Sequence, residues 1–86
     1  MSDLAQRFQA ALAHQLAGRI KEAEGGYRDL LRSHPGHVDS LQLLGLVLAA
    51  RGNLVEAADL TERAIEIGGD NPAILNNLGE IRRQQN

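Results

Sequence analysis

Three histidines are the side chains in this 86-residue sequence best suited to bind a metal ion. His34 and His37 stand three residues apart around a Pro-Gly turn, and Asp39 follows closely. A structural zinc site needs about four ligands at suitable spacing, and the chain has no cysteine to complete the set. His14 falls in a packing column of a different helix. We therefore expect turn residues at positions 34 and 37 and predict no metal site.

Motifs for catalysis and nucleotide binding are also missing from the sequence. No Gly-x-Ser-x-Gly elbow surrounds its serines, and it contains no glycine-rich phosphate loop. Its carboxylates are scattered, and the spacing of Glu24 with Arg28 and of Asp59 with Arg63 predicts i, i+4 ion pairs on helix surfaces. The sequence therefore predicts neither an enzyme nor a cofactor-binding protein.

Charge and hydropathy argue against nucleic acid and membranes as partners. The formal net charge is -2, and the short basic patch at Arg82 and Arg83 has no aromatic neighbours, so we expect no binding to nucleic acid. No apolar run approaches the roughly 20 residues of a membrane span. The first residues also lack the basic-then-apolar pattern of a signal peptide. These features predict no membrane partner and a cytoplasmic location.

An internal repeat appears when the sequence is shifted by 34 residues. Identical residues then coincide, and most stand at positions that shape helices or turns. The matched pairs are Gly18/Gly52, Glu22/Glu56, Ala23/Ala57, Leu12/Leu46, Leu41/Leu75, Leu44/Leu78 and Gly45/Gly79.

Each 34-residue period divides into two helical halves. Leu41, Leu44, Gly45 and Leu48 follow the i, i+3, i+4, i+7 spacing of one helix face. Gly18 and Gly52 stand where the first helix of each period should end, and breakers at 34–36 and 68–72 separate the periods. The pattern predicts helices near 4–16, 20–33, 38–50, 54–67 and 72–84. Small residues at 11, 45, 79, 23 and 57 would let paired helices approach closely.

The segments LQLLG (41–45) and LNNLG (75–79), with GRIKEAEGGY (18–27) and GNLVEAADLT (52–61), resemble the tetratricopeptide repeat. The resemblance implies an all-α, right-handed solenoid of helical hairpins with about five antiparallel helices. It implies a single domain over 1–86, with repeat one at about 4–37, repeat two at about 38–71 and a capping or partial third repeat at 72–86. Thr61 departs from the pattern, since it stands where Tyr27 should recur.

The same resemblance implies a non-catalytic module that binds a protein partner, as a peptide or a helix, through a concave groove lined by the first helix of each repeat. The groove-facing residues implied are Phe8, Gln9, Leu12, Gln42, Leu43, Leu46, Asn76, Asn77, Glu80 and Arg83, with Gln15 and Ala49 in the same columns. The apolar members Phe8, Leu12, Leu43 and Leu46 form a candidate exposed patch, and such patches mark partner sites. Ordinary contacts between helices would explain the same residues.

Three further questions stay open from the sequence. The last helix could cap the array with Ile74, Leu75, Leu78 and Ile81, or mediate a homodimer through the repeat ends or exchanged helices. The phrase HPGHVDSLQLLG also resembles tetratricopeptide regions that precede bacterial glycosyltransferase or sulfotransferase domains, which would make the chain the N-terminal portion of a larger protein. Gly25-Gly26 is either a tolerated weak point in the second helix or a site of close backbone approach.

Overall fold

The computed structural model describes residues 3–69 and 71–86, which form five helices. Met1, Ser2 and Asp70 lie outside the described residues, so the predicted breaker at 68–72 is described only in part. The helices are α1 (Asp3–Leu16), α2 (Ile20–Ser33), α3 (Val38–Ala50), α4 (Leu54–Gly68) and α5 (Pro72–Gln85). Over the described ranges there is no strand, and the predicted all-α helical solenoid is confirmed. Each helix packs on the next along the chain, in a body of 41 × 27 × 19 Å.

The turns inside the two hairpins are built alike. Gly18 and Gly52 have φ angles of +80° and +85°, which glycine adopts without a steric penalty. The backbone N–H of the next residue then bonds to a carbonyl five residues earlier, at 2.8 Å from Arg19 to His14 and at 2.9 Å from Asn53 to Leu48. This bond ends a helix in the manner of a Schellman motif. The 34-residue repeat in sequence is thus also a repeat in backbone geometry.

Helix α5 begins with a strong N-terminal cap. The side-chain oxygen of Asn71 accepts hydrogen bonds from the backbone N–H groups of Ala73 at 2.9 Å and Ile74 at 3.4 Å. Pro72 occupies the first helical turn, where its missing N–H costs nothing. These local features fix the start of the last helix.

Small residues let the helices of each hairpin approach closely. A methyl group built on Gly45 of α3 would lie 2.6 Å from the Thr61 hydroxyl of α4, and one on Gly26 of α2 would lie 3.0 Å from the Ala11 methyl of α1. A methyl group on Gly25 would meet nothing within 4 Å. Of the two adjacent glycines, Gly26 therefore marks the close approach and Gly25 does not.

The core runs along the seam between the hairpins and under α5. Fully buried leucines of α3 at 41, 44 and 48 pack with Ala57 and Ala64 of α4. Helix α5 adds the buried Ile74 and Ile81 and the half-buried Leu78. The prediction that Leu75 joins this stripe is wrong in part, because its side chain is 44% exposed. It lies on a side of α5 that no described helix covers.

Candidate binding site

A groove of about 400 Å³ lies between α3 and α5. We call it the α3–α5 groove, and its lining residues are Leu46, Ala49, Ala50, Asn77, Glu80, Ile81 and Gln84. The groove forms because α3 and α5 lie side by side against α4.

One wall of this groove is apolar and comes from α3. Leu41, Leu44 and Leu48 of that helix point into the core and are almost fully buried. Leu46 and Ala49, one or two residues away along the chain, therefore project from another face and stay only half-buried. Ala50 is exposed at the end of the helix. The α3 wall offers a shallow aliphatic surface without charge.

The opposite wall is polar and comes from α5. Asn77 is half-buried, while Glu80 and Gln84 are exposed. The Glu80 carboxylate accepts hydrogen bonds from Arg83, at 3.0 Å from Nε and 2.6 Å from an Nη nitrogen. The two walls together suit a ligand with an apolar side and hydrogen-bonding groups.

Two comparisons with known proteins bear on this architecture. The family model described as "Tetratricopeptide repeat" matches residues 8–72 of the chain. The chain belongs to the tetratricopeptide repeat family. Human tetratricopeptide repeat protein 7B is 31% identical over 71 residues, which are 83% of this chain and 8% of that protein. The chain thus spans only a small part of this relative.

Tetratricopeptide repeats are generally protein-interaction modules. Arrays of such repeats bind through an extended concave surface. In this chain α1, α3 and α5 hold equivalent places in the 34-residue pattern, and the α3–α5 groove lies between two of them. The predicted repeat boundaries at 37 and 71 stay predictions, since the matched stretch runs across both.

The structure brings together only part of the predicted groove set. Leu46, Ala49, Asn77 and Glu80 line the α3–α5 groove, and the neighbouring Ala50 and Gln84 also line it. The sequence contains a signal for both of these, because each stands four residues after a predicted groove residue, on the same helix face.

The predicted residues of α1 are placed differently. The ring of Phe8 packs partly buried against the core, 6.1 Å from the Tyr27 ring and 5.3 Å from the His37 ring between centroids. Gln15 accepts a 2.6 Å hydrogen bond from the Tyr27 hydroxyl. Leu12 is half-buried, and Gln9 is exposed. Phe8 and Gln15 thus make contacts between helices.

The remaining predicted residues divide between two helices. On α3, Leu43 packs partly buried against the core and Gln42 is half-buried. On α5, Asn76 and Arg83 line a second depression of about 610 Å³ together with Leu75 and Gly79. We call this surface the terminal face; Asn77 and Glu80 border both it and the α3–α5 groove.

His34 and His37 lie in the connection between α2 and α3. The Nδ1 atom of His37 lies 2.6 Å from the buried Ser40 hydroxyl, and that of His34 lies 3.1 Å from the Ser33 hydroxyl. Within residues 3–69 and 71–86, no three His, Cys, Asp or Glu side chains are grouped as metal ligands would be. No helix in the same ranges is long and apolar enough to cross a membrane.

Proposed function

We propose that the α3–α5 groove binds a segment of a partner protein and that the chain performs no catalysis. The observation that supports this most is the pairing of an aliphatic wall at Leu46 with a hydrogen-bonding wall at Asn77. An amphipathic helix or an extended peptide could place apolar side chains on the first wall and main-chain or amide groups on the second. The family membership supports a protein ligand in general terms.

A random peptide library displayed on phage tests this proposal even though the partner is unidentified. We expect peptides that are enriched on the wild-type protein to be lost on Leu46→Asp, because a carboxylate in the aliphatic wall would be desolvated by the ligand. Val55→Asp is the matched control, since Val55 is 68% exposed on α4 and lines neither the α3–α5 groove nor the terminal face. Equal recovery of the enriched peptides on both variants, with helicity unchanged by circular dichroism, would refute the proposal.

A second candidate function is self-association through the terminal face. Leu41 and Gly45 on α3 are buried, and Gly45 lies against Ala57 and Thr61 of α4. Their counterparts 34 residues later differ, since Leu75 is 44% exposed and a methyl group added to Gly79 would meet nothing within 4 Å. The terminal face thus has the shape that receives a helix elsewhere in the same chain.

A second copy of the chain is the occupant that we favour for this face. In this dimer the two α5 helices run antiparallel and cross at Gly79, which gives a symmetric contact. The residue four positions before Gly79 in one copy then meets the residue four positions after Gly79 in the other. Leu75 of one copy then packs on the aliphatic part of Arg83 of the other. We expect light scattering to show a dimer that Gly79→Arg dissociates and Val55→Asp does not. A monomer at high micromolar concentration would exclude this candidate.

The hypothesis of a larger transferase-like protein gains no support from the comparisons. The human relative is named for its repeats alone, and that hypothesis stays a prediction.

A further inference from the structure

A third depression lies between the second helices of the two hairpins, away from the α3–α5 groove. It has a volume of about 320 Å³ and is lined by Arg28, Leu31, Arg32, Leu44, Glu56, Leu60 and Arg63. We call it the arginine pocket. Its position between α2 and α4 places it outside the surface that the first helices present.

The floor of the arginine pocket consists of leucine side chains. Leu44 and Leu60 are 1% and 7% exposed, and Leu31 is half-buried against the same core. These side chains come from three different helices and are held by the packing of the hairpins. An incoming apolar group would therefore meet a preformed aliphatic surface.

The walls of the pocket are held by ion pairs between helices. Arg28 of α2 donates to Glu56 of α4 at 2.8 and 3.0 Å, and to Glu24 of its own helix at 2.9 Å. Glu24 also accepts a 3.0 Å hydrogen bond from Arg51, just after α3. The network fixes the relative positions of α2 and α4 at the edge of the pocket.

One positive charge in the pocket has no ion-pair partner among the residues that the structure describes. Arg28 is neutralised by its two glutamates, and Arg32 pairs with Asp29. Arg63 is exposed and makes no ion pair with any residue in 3–69 or 71–86. The ion pair predicted between Asp59 and Arg63 is therefore absent there. A free guanidinium beside a leucine floor is available for an external anion.

The charge balance favours a carboxylate over a phosphate as that anion. A phosphate group carries nearly two negative charges at neutral pH, whereas the pocket offers one free guanidinium and also contains the Glu56 carboxylate. A single carboxylate matches the free charge, and the fork of Arg63 can bind it through two hydrogen bonds.

We propose that the arginine pocket binds an acidic, leucine-containing segment of a partner protein. The leucine side chain lies on the floor formed by Leu31, Leu44 and Leu60, and an adjacent carboxylate pairs with Arg63. This surface is separate from the α3–α5 groove, so one chain can hold two protein segments at once.

The probe for this proposal is a hexapeptide that contains one leucine next to one glutamate among serines, acetylated and amidated at its ends, titrated into the ¹⁵N-labelled protein and followed by NMR. We expect shifts of the backbone amides of Leu31, Leu60 and Arg63. Arg63→Gln should raise the dissociation constant roughly tenfold, because a hydrogen-bonded charge pair is lost. Exchange of glutamate for glutamine, or of leucine for alanine, in the peptide should weaken binding to a similar degree.

Lys21→Gln is the matched control, since it removes one exposed positive charge from α2 outside the pocket. We expect it to leave the dissociation constant within about twofold of the wild-type value, in keeping with a surface charge that the ligand does not contact. Equal weakening by Lys21→Gln and Arg63→Gln would show non-specific attraction and overturn the proposal. Shifts confined to Leu46 and Asn77, or no shifts at about 1 mM peptide, a concentration that detects even weak complexes, would overturn it as well.

Discussion

Arg28 and Glu56 form a two-pronged ion pair that joins the second helix of one hairpin to the second helix of the next. The Nη1 and Nη2 atoms of Arg28 lie 2.8 and 3.0 Å from the two carboxylate oxygens of Glu56. The hydrogen bonds from Arg28 hold the pKa of the Glu56 carboxyl below its usual value, and those from Glu56 and Glu24 hold the pKa of Arg28 above its usual range. The i, i+4 spacing predicts the pair of Arg28 with Glu24, but it does not predict the pair with Glu56, which is 28 residues away.

Glu56→Gln should therefore lower stability in a pH-dependent manner. A depressed carboxyl pKa in the folded state stabilises the protein above the unfolded-state pKa, and this contribution is lost as the pH falls through the folded-state pKa. Both side chains are more than a third exposed, so solvent screening limits the expected loss at pH 7 to about 0.5–1 kcal/mol. Urea denaturation from pH 7 to acidic pH should show the wild-type and variant curves converging.

The control for this prediction is Glu22→Gln, at the position 34 residues before Glu56. Glu22 is exposed on α2 and forms no ion pair with another residue in the described ranges. Its substitution should change stability by less than about 0.5 kcal/mol. A loss as large as that of Glu56→Gln would mean that the ion pair between helices contributes nothing specific.

The single tyrosine of the chain offers a clean optical test of the first hairpin. Tyr27 is fully buried, and burial raises its pKa to about 12. Because the raised pKa favours the neutral phenol in the folded state, stability should fall as the pH rises from about 10, where an unfolded tyrosine ionises. Phenolate absorbance should appear in the folded protein near pH 12 and at lower pH in denaturant. Identical titrations in both states would contradict the buried environment.

Tyr27→Phe removes the hydroxyl and keeps the ring, so it measures the contribution of the hydroxyl to stability. The hydroxyl donates to Gln15 at 2.6 Å, and loss of this bond should cost about 1 kcal/mol. The ring contact with Phe8 should survive. Thermal and urea denaturation of the variant check the size of the loss, and a variant as stable as the wild type would show that the hydroxyl bond has no net effect.

The 34-residue period explains why the fold could be predicted from the sequence. The helix ends at Gly18 and Gly52 depend on local chemistry that the residue types reveal directly. The side-chain cap at Asn71 lies in a segment that the pattern predicts only as a breaker. The close approach at Gly45 follows from the column of small residues. Such features lie within one or two turns of the chain, so sequence spacing suffices to place them.

The candidate site was less predictable, because its residues are positioned by contacts between helices. Phe8 stands in a groove-facing column of α1, yet its ring packs against Tyr27 and His37 from two other segments. Leu75 belongs to an apolar stripe on α5, yet no described helix covers it. The residue spacing within one helix shows which side chains share a face of that helix. It does not show which other helices cover that face.

The adjacent glycines of α2 should respond oppositely to alanine. Gly25→Ala should stabilise the protein by up to about 1 kcal/mol, because alanine favours the helix and a methyl group there meets nothing within 4 Å. Gly26→Ala should lose that gain, since its methyl group would lie 3.0 Å from the Ala11 methyl group. Urea denaturation of both variants measures the difference, and equal stabilisation would show that α1 and α2 can separate freely.

Gly45 and Gly79 provide the sharpest comparison, since they occupy the same position in successive periods. Gly45→Ala should destabilise the protein by about 1–3 kcal/mol, because its methyl group would lie 2.6 Å from the Thr61 hydroxyl and 3.3 Å from the Ala57 carbonyl oxygen. Thr61 cannot turn away without cost, as its hydroxyl donates a 2.7 Å hydrogen bond to that same carbonyl. Gly79→Ala has open space and should instead stabilise α5 by up to about 1 kcal/mol. Urea denaturation at low protein concentration separates these effects from self-association. If Gly79→Ala destabilised the protein as much as Gly45→Ala, the face around Gly79 would have to be covered in solution.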